Sequence, residues 1–322
     1  MDAIIQQIQF VLGLPADLIN QAAFIPEWAK MSIIATVTFV PWLYFLYYAI
    51  ELLERFILTH IAPFLKLCRR IGALIGITTT VIPECGYQVL ASTFYARKMI
   101  SKGTLLAFLI ACSDDALPLL FMDLSKAAAI IPLVIIKAII AVIVAVVIDL
   151  IFVFNTKIEN SNPVNLDVNE PGCCHHKLMT IDHPPYWWLH PLTHTFNVFI
   201  FTLVAMLFFD FCISNAYGSP EAMASAMMID SPIQVVAGAI FGLIPNSITS
   251  IFLAVAFVKG LISFPTFLAG MVTVTGLGLY TLGKYNKNNN DNSFITLILF
   301  VAGITAGLLV YYNIGFLGSF VN

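Results

Sequence analysis

Thr78-Thr-Thr-Val-Ile-Pro-Glu-Cys-Gly-Tyr-Gln88 sets a proline, a carboxylate, a thiol and a glycine inside sequence that is otherwise apolar enough for a bilayer. A version of it recurs as Phe241-Gly-Leu-Ile-Pro-Asn-Ser-Ile-Thr-Ser250. Backbone groups freed by a helix break find no water at bilayer depth. Such a break is tolerated only where it is buried in protein or lines a cavity. A carboxylate at that depth is costly and marks function. Two breaks in corresponding halves of a chain point to a transport site. The stretch therefore predicts a membrane transporter organised around two interrupted segments.

Composition agrees. Of 322 residues, 60% are hydrophobic and 10% charged, and the mean hydropathy is +0.92. A soluble domain carries about 25% charged and about 45–50% apolar residues. The expectation is a multi-pass protein of the bilayer, in a bacterial inner (plasma) membrane. The formal net charge is −3, and no basic domain is present to bind nucleic acid. No G-x-x-x-x-G-K-S/T phosphate loop occurs, so this chain is not expected to hydrolyse ATP, and an ATPase partner is left open. No cofactor is expected, and homo-oligomerisation is left open. The cysteines at 68, 85, 112, 173, 174 and 212 show no disulfide framework. Residues 1–30 read as an N-terminal interfacial segment. Residues 3–14 are too short and polar to span and lack the basic start of a signal peptide.

A spanning helix needs about 20 apolar residues. Residues 31–54, 104–122, 127–154, 192–217, 265–283 and 293–312 qualify, while 72–96 and 232–258 are broken at Pro83 and Pro245. The two prolines lie 162 residues apart (245 − 83). The same offset superposes Gly76 on Gly238, Ile100-Ser101 on Ile262-Ser263, Thr104 on Thr266 and Leu106-Ala107 on Leu268-Ala269. Shared Gly, Pro, Ser and Thr punctuation argues for a repeat. Repeat one covers 31–154 and repeat two 191–322, with a cytoplasmic His/Cys-containing loop at 155–190 between them.

Charge orients them. Arg55, Lys66, Arg69 and Arg70 precede 72–96, and Arg97, Lys98 and Lys102 follow it. The positive-inside rule puts both groups in the cytoplasm, so 72–96 enters and returns as a hairpin. An arm such as 72–82 is then about 16 Å long, half the hydrocarbon core. The predicted fold class is an all-α polytopic membrane protein of two inverted repeats. Each has three full spans plus a Pro-broken re-entrant helical hairpin, making about ten membrane segments. The alternative is ten ordinary crossings with parallel repeats.

No residue is read as catalytic. The candidate ion-binding residues are Glu84, Cys85 and Gln88 at the first tip, Ser113, Asp114 and Asp115 in the span 104–122, and Asn246, Ser247 and Thr249 at the second tip. Glu84 and Cys85 pair a hard oxygen with a soft sulfur, which suits a thiophilic metal or metalloid. Cys85 alone reads equally as a small buried hydrophobe. Asp114 and Asp115 point about 100° apart on a helix, so one faces a cavity while the other packs. Together they bind a cation or share a proton, or else pair structurally with Lys137 or a hairpin amide. Their repeat equivalents are Gly276 and Leu277, so the acidic pair exists once. Lys137 reads as their counter-ion or as a snorkelling side chain. The second tip's neutral oxygens either ligate an ion or satisfy broken-helix backbone. Cys173, Cys174, His175 and His176, with His183, His190 and His194 beyond, read as a metal-binding tract or a nonspecific polar loop.

At Ile82-Pro-Glu-Cys-Gly86, Ser113-Asp-Asp-Ala-Leu-Pro118, Gly242-Leu-Ile-Pro-Asn246 and Gly260-Leu-Ile-Ser-Phe264 the chain resembles the ten-span heavy-metal exporter family, whose members are labelled arsenic efflux proteins or manganese transporters. The resemblance runs through nearly the whole chain. It implies a permease that moves metal or metalloid ions, or their compounds, outward. The family pattern reads Pro-Gln-Cys-Gly at the first tip and Pro-Asn-Cys at the second. Glu84 stands here for the Gln and Ser247 for the second Cys, which moves the expected cargo toward a divalent cation with mixed ligands. An uptake carrier or channel is the first competing reading. An intramembrane enzyme is the second, and it is disfavoured because no intramembrane His stands near either motif as a base and neither H-E-x-x-H nor G-x-S-x-G occurs.

Overall fold

The computed structural model describes residues 16–58, 86–113, 115–152, 188–229 and 231–314, the side chains of 53–58 aside. The expected interfacial helix at 3–14, Glu84, Cys85, Asp114 and the tract Cys173, Cys174, His175 and His176 lie outside these residues.

All regular structure among the described residues is helical. In chain order the helices are α1 (Glu27–Leu58), α2 (Gly86–Ala96), α3 (Lys102–Ala111), α4 (Ala116–Leu119, extended by a 3₁₀ turn to Met122), α5 (Leu124–Ala127) and α6 (Ile130–Phe152). There follow α7 (Leu189–Cys212, continued by a π-helical turn to Tyr217), α8 (Pro220–Ala226), α9 (Pro232–Gly242), α10 (Ile248–Val258), α11 (Phe264–Thr273), α12 (Gly278–Tyr285) and α13 (Asn289–Tyr311).

Among the described residues six stretches are long and apolar enough to cross a membrane: Glu27–Leu52, Lys102–Met122, Leu124–Phe152, Leu189–Tyr217, Phe264–Tyr285 and Asn289–Tyr311. Lys102–Met122 and Phe264–Tyr285 are 88% and 78% buried, against 28% to 39% for the other four. These two form the centre, and the others carry the lipid-facing apolar side chains a bilayer solvates. The chain thus has the make-up of an all-helical, multi-pass membrane protein.

The two central stretches correct an expectation. Continuous spans were expected over 104–122 and 265–283, but each is two helices separated by four residues, 112–115 between α3 and α4 and 274–277 between α11 and α12. Pattern reading sees only that both are apolar. What breaks them is polar and turn-forming sequence, Cys-Ser-Asp-Asp in one and Val-Thr-Gly-Leu in the other. Gly276 adopts φ +47°, a conformation L side chains rarely reach.

Helix starts recur at the spacing found in the sequence. α1 and α7, α2 and α10, α3 and α11, and α4 and α12 all begin 162 residues apart (248 − 86 for the second pair). α2 and α10 are both 11 residues long, and α3 and α11 are both 10. Capping explains part of this register. Ser101 precedes α3, accepts from the Thr104 amide at 3.0 Å and donates to Thr104 Oγ1 at 2.9 Å. Its equivalent Ser263 precedes α11 and lies 3.0 Å from Thr266 Oγ1, but makes no side-chain bond to a first-turn amide. A hydroxyl at the N-cap satisfies donors the first turn leaves open.

Packing repeats as well. α3 runs antiparallel to α6, and α11 to α13. A Cβ on Gly103 would lie 2.3 Å from Ala145 O, and one on Gly307 would lie 2.8 Å from Pro265 O. Pro265 is the equivalent of Gly103, and Gly307 of Ala145, so the small residue has changed sides of the same contact. α1 and α7 also pack antiparallel. Ser32 near the start of α1 donates to Asp210 near the end of α7, while Tyr47 stacks edge-on against His194 at 4.3 Å.

α9 and α10 are each about 16 Å long, half a bilayer core. Gln234 latches their outer ends. Its Nε2 donates to Leu261 O at 3.1 Å, and its Oε1 accepts from the Ser263 amide at 3.1 Å and from Thr266 Oγ1 at 2.9 Å. The start of α9 therefore lies beside the end of α10.

Candidate functional site

The breaks at 112–115 and 274–277 meet, and Gln88 joins them. This side chain, in the first turn of α2, is fully buried. Its amide nitrogen lies 3.5 Å from Leu109 O, in the last turn of α3, and 3.3 Å from Val274 O, just past α11. Gly278 allows the approach: a Cβ there would sit 3.0 Å from Gln88 Cβ and 2.8 Å from Leu109 Cδ2. Gln88 is thus the one residue of the first tip's stretch whose position is described beyond its neighbours Gly86 and Tyr87, and it reaches both breaks.

Several polar atoms here have no hydrogen-bond partner among the described residues. They are Gln88 Oε1, Ser113 Oγ and Thr275 Oγ1, on residues that are all fully buried. Leaving such an atom unsatisfied costs about 1–3 kcal/mol, so three at one junction call for an explanation. Ser113 and Thr275 are repeat equivalents (275 − 113 = 162).

Lys137, in α6, is also fully buried. Its ammonium donates to Cys112 O at 2.6 Å. The snorkelling alternative is therefore incorrect: the side chain turns inward onto the carbonyl exposed by the first break rather than out toward the interface.

Asp115 is the last residue of that break and is buried. Its Oδ1 accepts from Tyr47 OH at 2.8 Å and lies 3.1 Å from His194 Nε2. The contact needs one proton between them, carried by the imidazole or by the carboxyl group. One turn further toward the helix ends, His190 Nδ1 lies 2.6 Å from Glu51 Oε2. The two imidazole centroids are 6.4 Å apart. Tyr47 and Glu51 lie four residues apart on α1, as His190 and His194 do on α7, so each pair shares one helix face.

This arrangement corrects two readings. His190 and His194 belong to α7 and not to a loop tract. A histidine does stand beside one of the polar motifs, because the antiparallel contact of α1 and α7 brings it there. The signal that could have found it is the i, i+4 spacing of both pairs inside apolar sequence. Thr275 was likewise legible, one residue before the Gly276 and Leu277 already aligned with the acidic pair.

The second tip behaves differently. Asn246 is exposed, and its Oδ1 accepts from the Ile248 amide at 3.0 Å. Thr249 Oγ1 donates to Ile244 O at 3.3 Å, and Ser250 Oγ to Ser247 O at 2.8 Å. Ser247 caps α10 with no side-chain bond. These groups satisfy the backbone that the break frees. Beside them, among α7, α9, α10 and α11, is a cavity of about 730 Å³, mostly apolar, whose polar lining includes Gln234, Asn246, Thr249 and Thr266. Among the described residues no three His, Cys, Asp or Glu side chains gather as a metal site.

Charged groups tie the two ends of the bundle. At one, Lys102 pairs with Asp291 at 2.6 Å and sits 4.3 Å over the Phe152 ring, while Asp291 also accepts from Tyr95 OH at 2.8 Å. At the other, Lys259 pairs with Asp210, which Ser32 also contacts. Both clusters join residues of the first half to residues of the second. No protein-family model, curated protein or solved structure matches this chain.

Proposed function

We propose that the chain is an alternating-access permease built from two inverted repeats, with proton movement through Asp115 and His194 coupled to the movement of an ion. The observation that carries this reading is the pair of helix breaks at equivalent positions in the two most buried stretches. Discontinuous helices at a repeat interface put backbone ends and polar side chains where a substrate site needs them. The antiparallel contact of the equivalent helices α1 and α7 supports inversion. The latch of Gln234 supports a re-entrant α9–α10 hairpin. On this arrangement Glu51, Lys102 and Asp291 share the cytoplasmic end, and the acidic connection at 218–231 lies outside.

The Glu51–His190 and His194–Asp115 pairs supply a proton route from that end to the first break, the two imidazole centroids lying 6.4 Å apart. The cargo we propose is a metal or metalloid ion, carried outward and held near the start of α2, where Glu84 and Cys85 immediately precede a helix whose Gln88 touches both breaks. The test is flux in proteoliposomes with an imposed pH gradient, over a panel of divalent metals and arsenicals, in both directions. Wild type should move at least one of them, and Asp115→Asn and His194→Gln should lose the response to the gradient. Flux no different from empty vesicles across the panel overturns the proposal. A His–Asp pair also suits an intramembrane hydrolase. Turnover of a membrane substrate by purified protein with no gradient would favour that reading.

A further inference from the structure

We infer that the second helix break holds a monovalent cation of the sodium type, bound by neutral oxygens that include Thr275 Oγ1 and Gln88 Oε1, with Ser113 Oγ beside them. This rests on the permease reading for its purpose, as a coupling site, but not for its chemistry. The two breaks are equivalent in sequence and differ in charge. At the first, the Lys137 ammonium sits on the exposed carbonyl of Cys112. The repeat equivalent of Lys137 is Leu299 (137 + 162), fully buried and apolar. The corresponding carbonyl, Val274 O, meets only the neutral amide of Gln88 among its described partners, at 3.3 Å. A positive charge is thus built into one break and missing from its counterpart.

The second break is nevertheless prepared for one. α11 ends there, and a helix C-terminus presents carbonyl oxygens and the negative end of its dipole. Thr275 Oγ1, one residue beyond, is fully buried and has no hydrogen-bond partner among the described residues. Gln88 Oε1 is in the same condition. It can only accept, so its partner is a cation or a donor. The Gln88 nitrogen is committed to the two carbonyls, which fixes the amide's orientation. Hydroxyl, amide and carbonyl oxygens form a hard, uncharged donor set, and unwound carbonyls with half-helix C-terminal ends are what coordinate sodium in broken-helix carriers. A divalent ion would call for carboxylates, and no trio of His, Cys, Asp or Glu gathers among the described residues. Ser113 Oγ, 162 residues before Thr275 and next to the first break's Cys112, is likewise buried and without a partner among the described residues.

The test needs no transport. Purified full-length protein is titrated with sodium chloride, potassium chloride or choline chloride at constant ionic strength, and thermal unfolding is followed by tryptophan fluorescence. A ligand that binds only the folded state raises Tm with concentration. Wild type should show a saturable rise with sodium beyond that with choline. Thr275→Val, which keeps shape and removes the oxygen, should raise the apparent Kd at least tenfold. Ser113→Ala should weaken it less. Thr202→Val, which removes another unpartnered buried hydroxyl on α7, should leave the response intact. Equal behaviour in all three salts, as when water alone fills the site, overturns the inference, as does an unchanged sodium response in Thr275→Val. If Thr275→Val does not fold, the wild-type salt comparison and Ser113→Ala still decide. A sodium response with no flux of any cargo would remove the permease and keep the cation site. Flux without a sodium response would do the reverse.

Discussion

Tyr47 and His194 converge on one oxygen of Asp115 from two antiparallel helices, α1 and α7. A hydrogen bond to an ionised group contributes about 1.5–3 kcal/mol, more than a neutral one. Tyr47→Phe deletes the 2.8 Å bond and leaves the His194 contact, so the carboxylate keeps one partner. The expected result is a folded protein destabilised by about 1.5–3 kcal/mol, read by denaturant titration in detergent. Its flux should also fall, because one of the two groups that hold the Asp115 carboxylate in place is gone. Unaltered flux would mean the tyrosine only packs. This residue scale was the hardest to read in advance. Asp115 announces itself as a charge in apolar sequence, but its partners lie 68 and 79 residues away. Only the antiparallel seating of α1 against α7 identifies them.

The α9–α10 hairpin shows what periodicity can and cannot deliver. Pro245 and the glycine before it mark a break, and equal arms on either side follow from counting. One buried side chain bonds the two ends of the hairpin together. Gln234 donates to Met227 O and Leu261 O and accepts from Ser263 and Thr266, and no sequence pattern distinguishes that glutamine from any other. Gln234→Leu keeps the volume and strands the Ser263 amide and the Leu261 carbonyl together. Each orphan costs about 1–3 kcal/mol, so the variant should lose at least about 2 kcal/mol. Amide exchange should rise first in residues 231–263, with α6 unaffected. Uniform loss of protection would instead mean that the hairpin is no separate unit. The opposite failure occurred in the central stretches. Their composition is mostly apolar, so length alone suggested unbroken spans, and the polar and turn-forming residues at 112–115 and 274–277 decided otherwise.

At the scale of the molecule, legibility was greatest where the two halves check one another. A single offset of 162 residues, read from Pro83 and Pro245, also relates the starts of four pairs of helices. Agreement in helix starts is a check that chance likeness between apolar sequences does not supply by composition alone. The departures from it are as informative: Asp115 against Leu277, Lys137 against Leu299 and His194 against Ser32 each put the charge or ring in only one of the pair. The inverted repeat proposed for this chain, with these asymmetries, makes a definite topological prediction. Arg97 and Lys98 at the end of α2 and Lys284 and Lys287 near the end of α12 should face one side of the membrane, with Lys126 after the first broken helix and Glu221 of α8 on the other. In a background with the native cysteines replaced, Lys98→Cys and Lys287→Cys should resist a membrane-impermeant maleimide added outside intact cells and react in inverted vesicles, while Lys126→Cys and Glu221→Cys should do the opposite. Ser231→Cys and Gly260→Cys, at the two ends of the hairpin, should both react from outside. Reaction of these two from opposite sides would mean that 232–258 crosses the membrane, and the repeats would then be parallel.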